Sequence, residues 1–363
     1  MTEVRADTGE RAPADATDES GTAGRIAKRE REMADRAVRV AERGSKPTRV
    51  VSARVSVWLR LREMWRAREL FVFLVRKEIK VKYKNSVLGF LWSMLNPALT
   101  LAVFYVLFTY FLPNGIPHFV IYMFSAMLVW NLYQTALIGG TTSVVLNAGI
   151  VKKVAFPREI LVLASVGAAF MFFFYQSIVM IIFMFAFRHV PAWGDIWLLI
   201  PALAAIIVFA SALAIFLAAV NVYLRDTQHL IEVLLVAWFW AIPTVYAFSG
   251  RVHEALERHT ILFIPHTKLI WLYFANPVTP VVMTFQRFFF NDFNPHSTIA
   301  THPILANGHV APYTVHALIP VLANYPVHWF VGADLAVLGV SVLLFLGALS
   351  VFGHLEGNFA EEL

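Results

Sequence analysis

No Asp, Glu, Lys or Arg occurs in 85–151, 160–187, 196–224, 233–250 or 335–355. Crossing the hydrocarbon core of a bilayer takes about 20 predominantly apolar residues of helix. The first stretch is long enough for two crossings, with Pro113-Asn114-Gly115-Ile116-Pro117 as the turn between them. Inside lipid every backbone N–H and C=O needs an internal partner, so such spans are helices. The expected fold is an all-α polytopic membrane protein of about six transmembrane helices, near 88–112, 118–138, 160–187, 196–222, 229–250 and 329–352. Composition agrees, since 15% charged residues against 58% apolar leaves too little charge to cover a soluble domain of 363 residues. The absence of cysteine excludes disulfides, thiolate metal sites and a cysteine nucleophile.

Charge is concentrated at one end. Residues 1–87 hold 21 of the 30 Lys and Arg and 13 of the 24 Asp and Glu. Residues 1–50 read as a disordered, charged cytoplasmic tail, with a charged helix near Arg25–Arg43. Met1–Ser20 is polar and acidic, so a cleaved signal peptide is not expected. Over 51–87, Trp58, Leu59, Leu61 and Trp65 alternate with arginines, and Phe71, Leu74, Val75, Ile79 and Tyr83 oppose Lys77, Lys80 and Lys84 at helical spacing. That pattern predicts amphipathic helices lying in the headgroup plane. A basic arm beside an apolar block points to anionic lipid rather than nucleic acid. Placing the arm inside puts 25 basic residues on the cytoplasmic side and 5 outside, with both termini cytoplasmic. Residues 251–328 are then an outward segment, in which Ile261–Ala275 and Pro277–Phe290 are too short to span and read as a re-entrant hairpin.

Four local patterns, in order, resemble the permeases of the ABC type-2 family, in particular the exporters of polysaccharide, O-antigen and teichoic acid. The first is Arg76-Lys77-Glu78-Ile79-Lys80-Val81-Lys82-Tyr83-Lys84-Asn85-Ser86-Val87-Leu88-Gly89-Phe90-Leu91-Trp92, closing on Asn96-Pro97, and resembles the interfacial entry helix. The second, Asn147 followed by Lys152-Lys153-Val154-Ala155-Phe156-Pro157-Arg158-Glu159, resembles the cytoplasmic loop between spans two and three. The third is Tyr223-Leu224-Arg225-Asp226, and the fourth is Asn276-Pro277-Val278-Thr279-Pro280 with Arg287, which resembles the outward hairpin. Two departures are an N-terminal extension of about 65 residues and an enlarged outward segment between Asn291 and His328.

The resemblance implies a half-transporter, bound to a second copy of itself and to two ATP-binding-cassette ATPase subunits. The resemblance also implies that this assembly moves a lipid-linked glycan across the bacterial plasma membrane. The chain has no G-x-x-x-x-G-K-[ST] loop, so ATP and Mg are expected on the partner and no cofactor on this chain. Asn147, Lys152, Lys153, Phe156, Pro157, Arg158, Glu159, Arg225 and Asp226 are the expected ATPase-coupling residues, with Phe156 inserted into the partner and Lys152, Lys153 and Arg158 facing its acidic side chains. Phe104, Phe108 and Phe111 on the first span, and Phe173, Gln176 and Phe183 on the third, are candidate conduit-lining residues, because sugar rings stack on aromatic faces.

Competing readings are a type-2 permease for a drug or small lipid, a membrane-embedded glycosyl or acyl transferase, and a structural scaffold. A transferase needs clustered carboxylates and His, and none cluster here. Glu232 and Asp334 are expected near membrane edges, and the outward histidines are too widely spaced for a metal site.

Overall fold

The computed structural model describes residues 28, 31–33, 56–84, 91–112, 116–248, 266–291, 298–301, 315–318, 321–322 and 325–363. Contacts divide the chain into Met1–Ser52 and Ala53–Leu363. The first unit is described only at 28 and 31–33, which are helical, so the expected tail lies almost wholly outside the described residues. So do 85–90 of the entry motif, the turn 113–115, and most of the enlarged outward segment.

The second unit begins with two amphipathic helices, α1 (Val57–Arg66) and α2 (Arg68–Tyr83). In α1, Arg60, Leu61 and Met64 face the protein while Trp58 and Trp65, seven residues apart, stand exposed. Helix α3 (Leu91–Val106) continues as a π-helical turn over Leu107–Phe111 and carries Pro97 in its interior. Then come α4 (Phe119–Leu146), the single turn α5 (Ala148–Val151), α6 (Glu159–Ala186), a 3₁₀ segment (Trp193–Leu198) and α7 (Leu199–Tyr223). Helix α8 (Thr227–Trp240), α9 (His266–Phe274), α10 (Val278–Phe289) and α11 (Val327–Leu355) follow, and a 3₁₀ turn (Glu356–Asn358) leads into α12 (Phe359–Glu362).

Among the described residues, five helical segments are long and apolar enough to cross a membrane: Met94–Phe111, Phe119–Leu146, Glu159–Ala186, Trp193–Tyr223 and Val327–Asn358. The chain is a multi-pass membrane protein. The span expected over 229–250 is shorter, because α8 stops at Trp240 after 14 residues. At about 1.5 Å per residue it reaches roughly 21 Å, short of a 30 Å core. Pro243 has no N–H to continue the ladder, and 241–247 is irregular and largely buried, closed by the Thr244 hydroxyl on the Ile242 and Phe239 carbonyls.

The core is built on α4, which packs against α6, α7 and α10. A Cβ on Gly140 would lie 2.6 Å from Ala214 Cβ and 3.2 Å from Val162 Cγ1, so glycine is what lets α4 approach α7 and α6 here. Alanines at 202, 205, 210, 212, 214, 218 and 219 give α7 a small, buried surface, the usual way for membrane helices to pack closely.

The end opposite the basic loops is closed by α9 and α10. Their turn is fixed by Asn276, whose Oδ1 accepts from Trp238 Nε1 at 3.0 Å and from the Val278 N–H at 3.2 Å. Trp238 packs on Tyr133, 14 residues into α4, so the hairpin reaches about 20 Å down that helix. Gln286 Nε2 donates to the Pro243 carbonyl at 2.5 Å, and Tyr122 Oη donates to the carbonyls of Tyr246 at 2.7 Å and Pro243 at 3.2 Å. The irregular backbone after α8 is thereby satisfied by protein, as burial in a bilayer requires.

Two findings add to the sequence expectation. A short antiparallel ladder pairs Thr298–Thr301 with Val315–Leu318 within an otherwise helical fold. Asp334, expected near a membrane edge, lies seven residues into α11, where it is fully buried and accepts from Thr284 Oγ1 of α10 at 2.8 Å.

Candidate functional site

Two places in the described structure bring the sequence's candidate residues together. The first is a cavity of about 1010 Å³ walled by α3, α4, α6 and α8, with Lys82 of α2 at its rim. Trp92, Asn96, Pro97, Thr100 and Phe104 come from α3. From α4 come Trp130, Asn131, Gln134, Thr135 and Ile138, a stripe at helical spacing that mixes aromatic, amide and hydroxyl groups. Phe172 and Gln176 of α6 and Phe239 and Trp240 of α8 complete the wall.

These side chains hold one another in place. Asn131 Nδ2 donates to Gln176 Oε1 at 3.0 Å across the α4–α6 interface. Phe104 and Trp130 meet Phe239 with ring centroids 6.0 and 5.6 Å apart, spacings at which tilted aromatic pairs attract. Lys82 Nζ lies 4.2 Å from the centroid of the Phe172 ring, a cation–π distance. The Thr100 hydroxyl donates to the Asn96 carbonyl at 3.0 Å, beside the helical Pro97. Flat apolar faces alternating with amides suit a ligand that has both apolar faces and hydroxyls.

The expected lining residues divide. Phe104 and Gln176 are in the wall, and Phe108 stacks behind Phe104 at 6.1 Å. Phe173 instead packs edge-on against Phe285 in the core, and Phe183 against Phe124. Phe111 is exposed at the far end of the π-helical turn. One residue of helical phase separates Phe173 from Phe172, which is the ring that reaches the cavity. Asn131, Gln134 and Thr135 were missed, although polar side chains at i, i+3 and i+4 in an apolar span were a readable signal.

The second place is the basic end. Asn147 caps α4, and its Nδ2 donates to the Ser143 carbonyl at 2.8 Å while its Oδ1 accepts from Lys77 Nζ at 2.6 Å. The entry helix is thus tied directly to the loop that follows α4. Beyond the buried Val151, Lys152, Lys153, Val154 and Ala155 form an exposed tip. The residues expected to reach a partner next turn inward. Phe156 is half-buried against the chain's own core, with Pro157 behind it. Arg158 Nη1 donates to the Glu356 carbonyl at 2.7 Å and its guanidinium lies 5.8 Å from the Phe359 ring centroid.

Glu159 is buried at the start of α6 and pairs with Arg60 of α1, which also donates to Glu356 Oε2 at 2.8 Å. Burial disfavours the Arg60 charge, but the hydrogen bond to Glu356 and the charges of Glu159 and Glu356 outweigh it, holding its pKa above the ordinary arginine value. Arg225 and Asp226 are exposed in the turn between α7 and α8. Arg76 and Lys80 lie along α2, and Lys84 follows its end. At the opposite end Arg287 Nε donates to Asp195 Oδ2 at 2.7 Å, with Asn276 and Pro277 at the hairpin turn.

Comparison with known proteins agrees with this architecture. A family model described as ABC-2 type transporter matches residues 69–290, from the start of α2 to the end of α10. The O-antigen export system permease protein RfbA of Myxococcus xanthus is 33% identical over 216 residues, covering 59% of this chain and 82% of the relative. A protein of the same name from Klebsiella pneumoniae is 26% identical over 224 residues, 61% of this chain and 81% of its own length. The chain belongs to the ABC-2 type transporter family.

Proposed function

We propose that this chain is the permease subunit of an exporter of polysaccharide, moving a lipid-linked glycan such as an O-antigen across the bacterial plasma membrane. The observation that carries the reading is the cavity wall, where Trp92, Phe104, Trp130, Phe172 and Phe239 alternate with Asn131, Gln134 and Gln176. Such a surface offers a sliding glycan stacking faces and amides without a deep, single-ligand pocket. The names of the relatives support the same substrate class.

Two copies with two ATPase subunits make the working assembly, and ATP and Mg are bound by the ATPases. Both termini and the basic end are cytoplasmic, where the exposed tip Lys152–Ala155 and the Arg225–Asp226 turn receive the ATPase stroke. Lys82, Lys84 and α1 lie beside the anionic headgroups through which a lipid-linked substrate approaches.

The test is export in cells in which this chain is replaced. Loss of the chain leaves lipid-linked glycan accumulating in the cytoplasmic leaflet, and Trp92→Ala with Trp240→Ala, at two half-exposed rings of the wall, reproduces that accumulation at normal permease abundance. Unchanged surface glycan in both strains removes the glycan assignment. For the ATPase partnership, reversing Lys152 and Lys153 to Glu weakens co-purification with the ATPase, more at low salt than at high, because exposed charges are screened over about 8 Å at physiological ionic strength. If the lysines only set orientation, reversal instead changes topology and leaves docking intact in correctly inserted protein.

A further inference from the structure

The C-terminal segment after α11 lies outside the part of the chain that matches the family. It is nevertheless where the two exposed loops of the basic end meet. Tyr223 Oη, at the root of the Arg225–Asp226 turn, donates to the Leu355 carbonyl at 2.7 Å. Arg158, at the root of the Lys152–Ala155 tip, donates to the next carbonyl, that of Glu356, at 2.7 Å. Phe359 is fully buried between them, its ring edge-on to Tyr223 at 6.0 Å and to Phe352 at 5.2 Å.

Arg60 closes the arrangement from a third direction, bridging Glu159 at the start of α6 and Glu356 beyond α11. A Cβ on Gly353 would come within 2.7 Å of Arg60 Cζ, so the guanidinium is seated on bare backbone and has no room to swing that way. A buried ion pair is a poor source of net stability, because desolvation offsets most of the attraction. It is a good source of fixed geometry, since letting go of either partner leaves an uncompensated buried charge.

We infer that Arg60, Glu356 and Phe359 are positioning residues for energy coupling: they lock both cytoplasmic loops and the interfacial helix α1 to the end of α11, so that a push on either loop moves all of them as one body. The inference rests on the reading of those loops as the ATPase contact. Packed junctions of this kind shift between arrangements as units instead of deforming gradually.

The test uses the complete permease–ATPase complex in vesicles and reads glycan translocated per ATP hydrolysed. The pair Arg60→Met with Glu159→Gln removes the two most buried charges together and leaves Glu356 paired with Arg158, so no charge is stranded, and Phe359→Ala attacks the same junction without touching a charge. Both are expected to lower glycan moved per ATP about tenfold, the scale of an ordinary coupling between sites, while ATP hydrolysis and ATPase co-purification persist. Arg60→Lys, which keeps the charge but lacks the two-pronged reach, falls between. Assembled variants that move glycan at the parental cost in ATP overturn the inference, even if their abundance or thermal stability has dropped. Failure of the underlying loop reading is seen separately, as undiminished ATPase co-purification when Lys152 and Lys153 are reversed.

Discussion

Helices α3 and α4 are neighbours in sequence, and both lie in one charge-free stretch, yet they live in different surroundings. Of the apolar stretch of α4, 78% is buried inside the protein, against 11% for Met94–Phe111, although the latter is the more apolar of the two. In α4 the side chains of Tyr122, Phe124, Leu128, Leu132 and Tyr133 are almost entirely enclosed. In α3 and its π-helical continuation Val103, Val106, Tyr110 and Phe111 face outward, and the inner side borders the large cavity. In a bilayer, lipid is as apolar as a protein core, so hydropathy says whether a helix crosses and not what it touches. Helix α4 is framework, and α3 is a wall.

The comparison is most severely tested at Gly140. Gly140→Leu drives a branched side chain into Ala214 Cβ and Val162, and overpacking of this kind costs about 1–3 kcal/mol or more. We expect little folded permease in detergent extracts, whereas Leu99→Ala on α3 leaves the yield unchanged. Next, Phe124→Ala is expected to cost about 3 kcal/mol through lost packing, and Val103→Ala within about 0.5 kcal/mol, read as thermal unfolding of the purified chain. A large cost for Val103→Ala that appears only in the assembled exporter means that a second copy covers this face of α3, which would redraw the contrast.

A smaller effect is expected at the edge of the cavity. Gln176→Leu leaves the Asn131 amide without its partner on α6, a loss of about 1 kcal/mol given how weakly interhelical hydrogen bonds are measured to act in membranes. Glycan export should fall further than that stability change explains, because two wall groups are altered together. Smallest of all, Tyr133→Phe removes a buried hydroxyl that has no hydrogen-bond partner among the described residues. The change is expected to be neutral or stabilising by less than about 1 kcal/mol, and a destabilisation would mean that the hydroxyl is satisfied in the assembled protein.

The sequence made some of this legible and hid the rest for definite reasons. The amphipathic helices were readable because Trp58 and Trp65 recur with arginines at helical spacing, and the α9–α10 turn because Asn276-Pro277 interrupts two short apolar runs. The early end of α8 was harder: 233–250 is free of charge throughout, and Pro243 alone marked the break. Phe173 and Phe172 differ by one residue, about 100° of helical phase, which periodicity does not resolve when the whole helix is apolar. The intrachain partners of Arg158 and Glu159 were not readable, because Arg60 and Glu356 lie about 100 and 200 positions away.

What the sequence determined by itself was that the chain crosses a membrane several times as helices, which end is basic, and which family it resembles. Those follow from free energies that are local or nearly so: the cost of an unpaired peptide group in lipid, the attraction of lysine and arginine to one face of the bilayer, and short runs of residues whose order carries information. Only the tertiary structure decided which apolar helix is core and which is wall. It also decided that Asp334 is enclosed against Thr284 and that Phe156 lies half-buried against the chain's own core. It alone showed the two loops of the basic end joined at Leu355 and Glu356. Each of these is settled by close contact between segments far apart in the chain, where steric fit and hydrogen-bond geometry choose among partners that hydropathy ranks as equal.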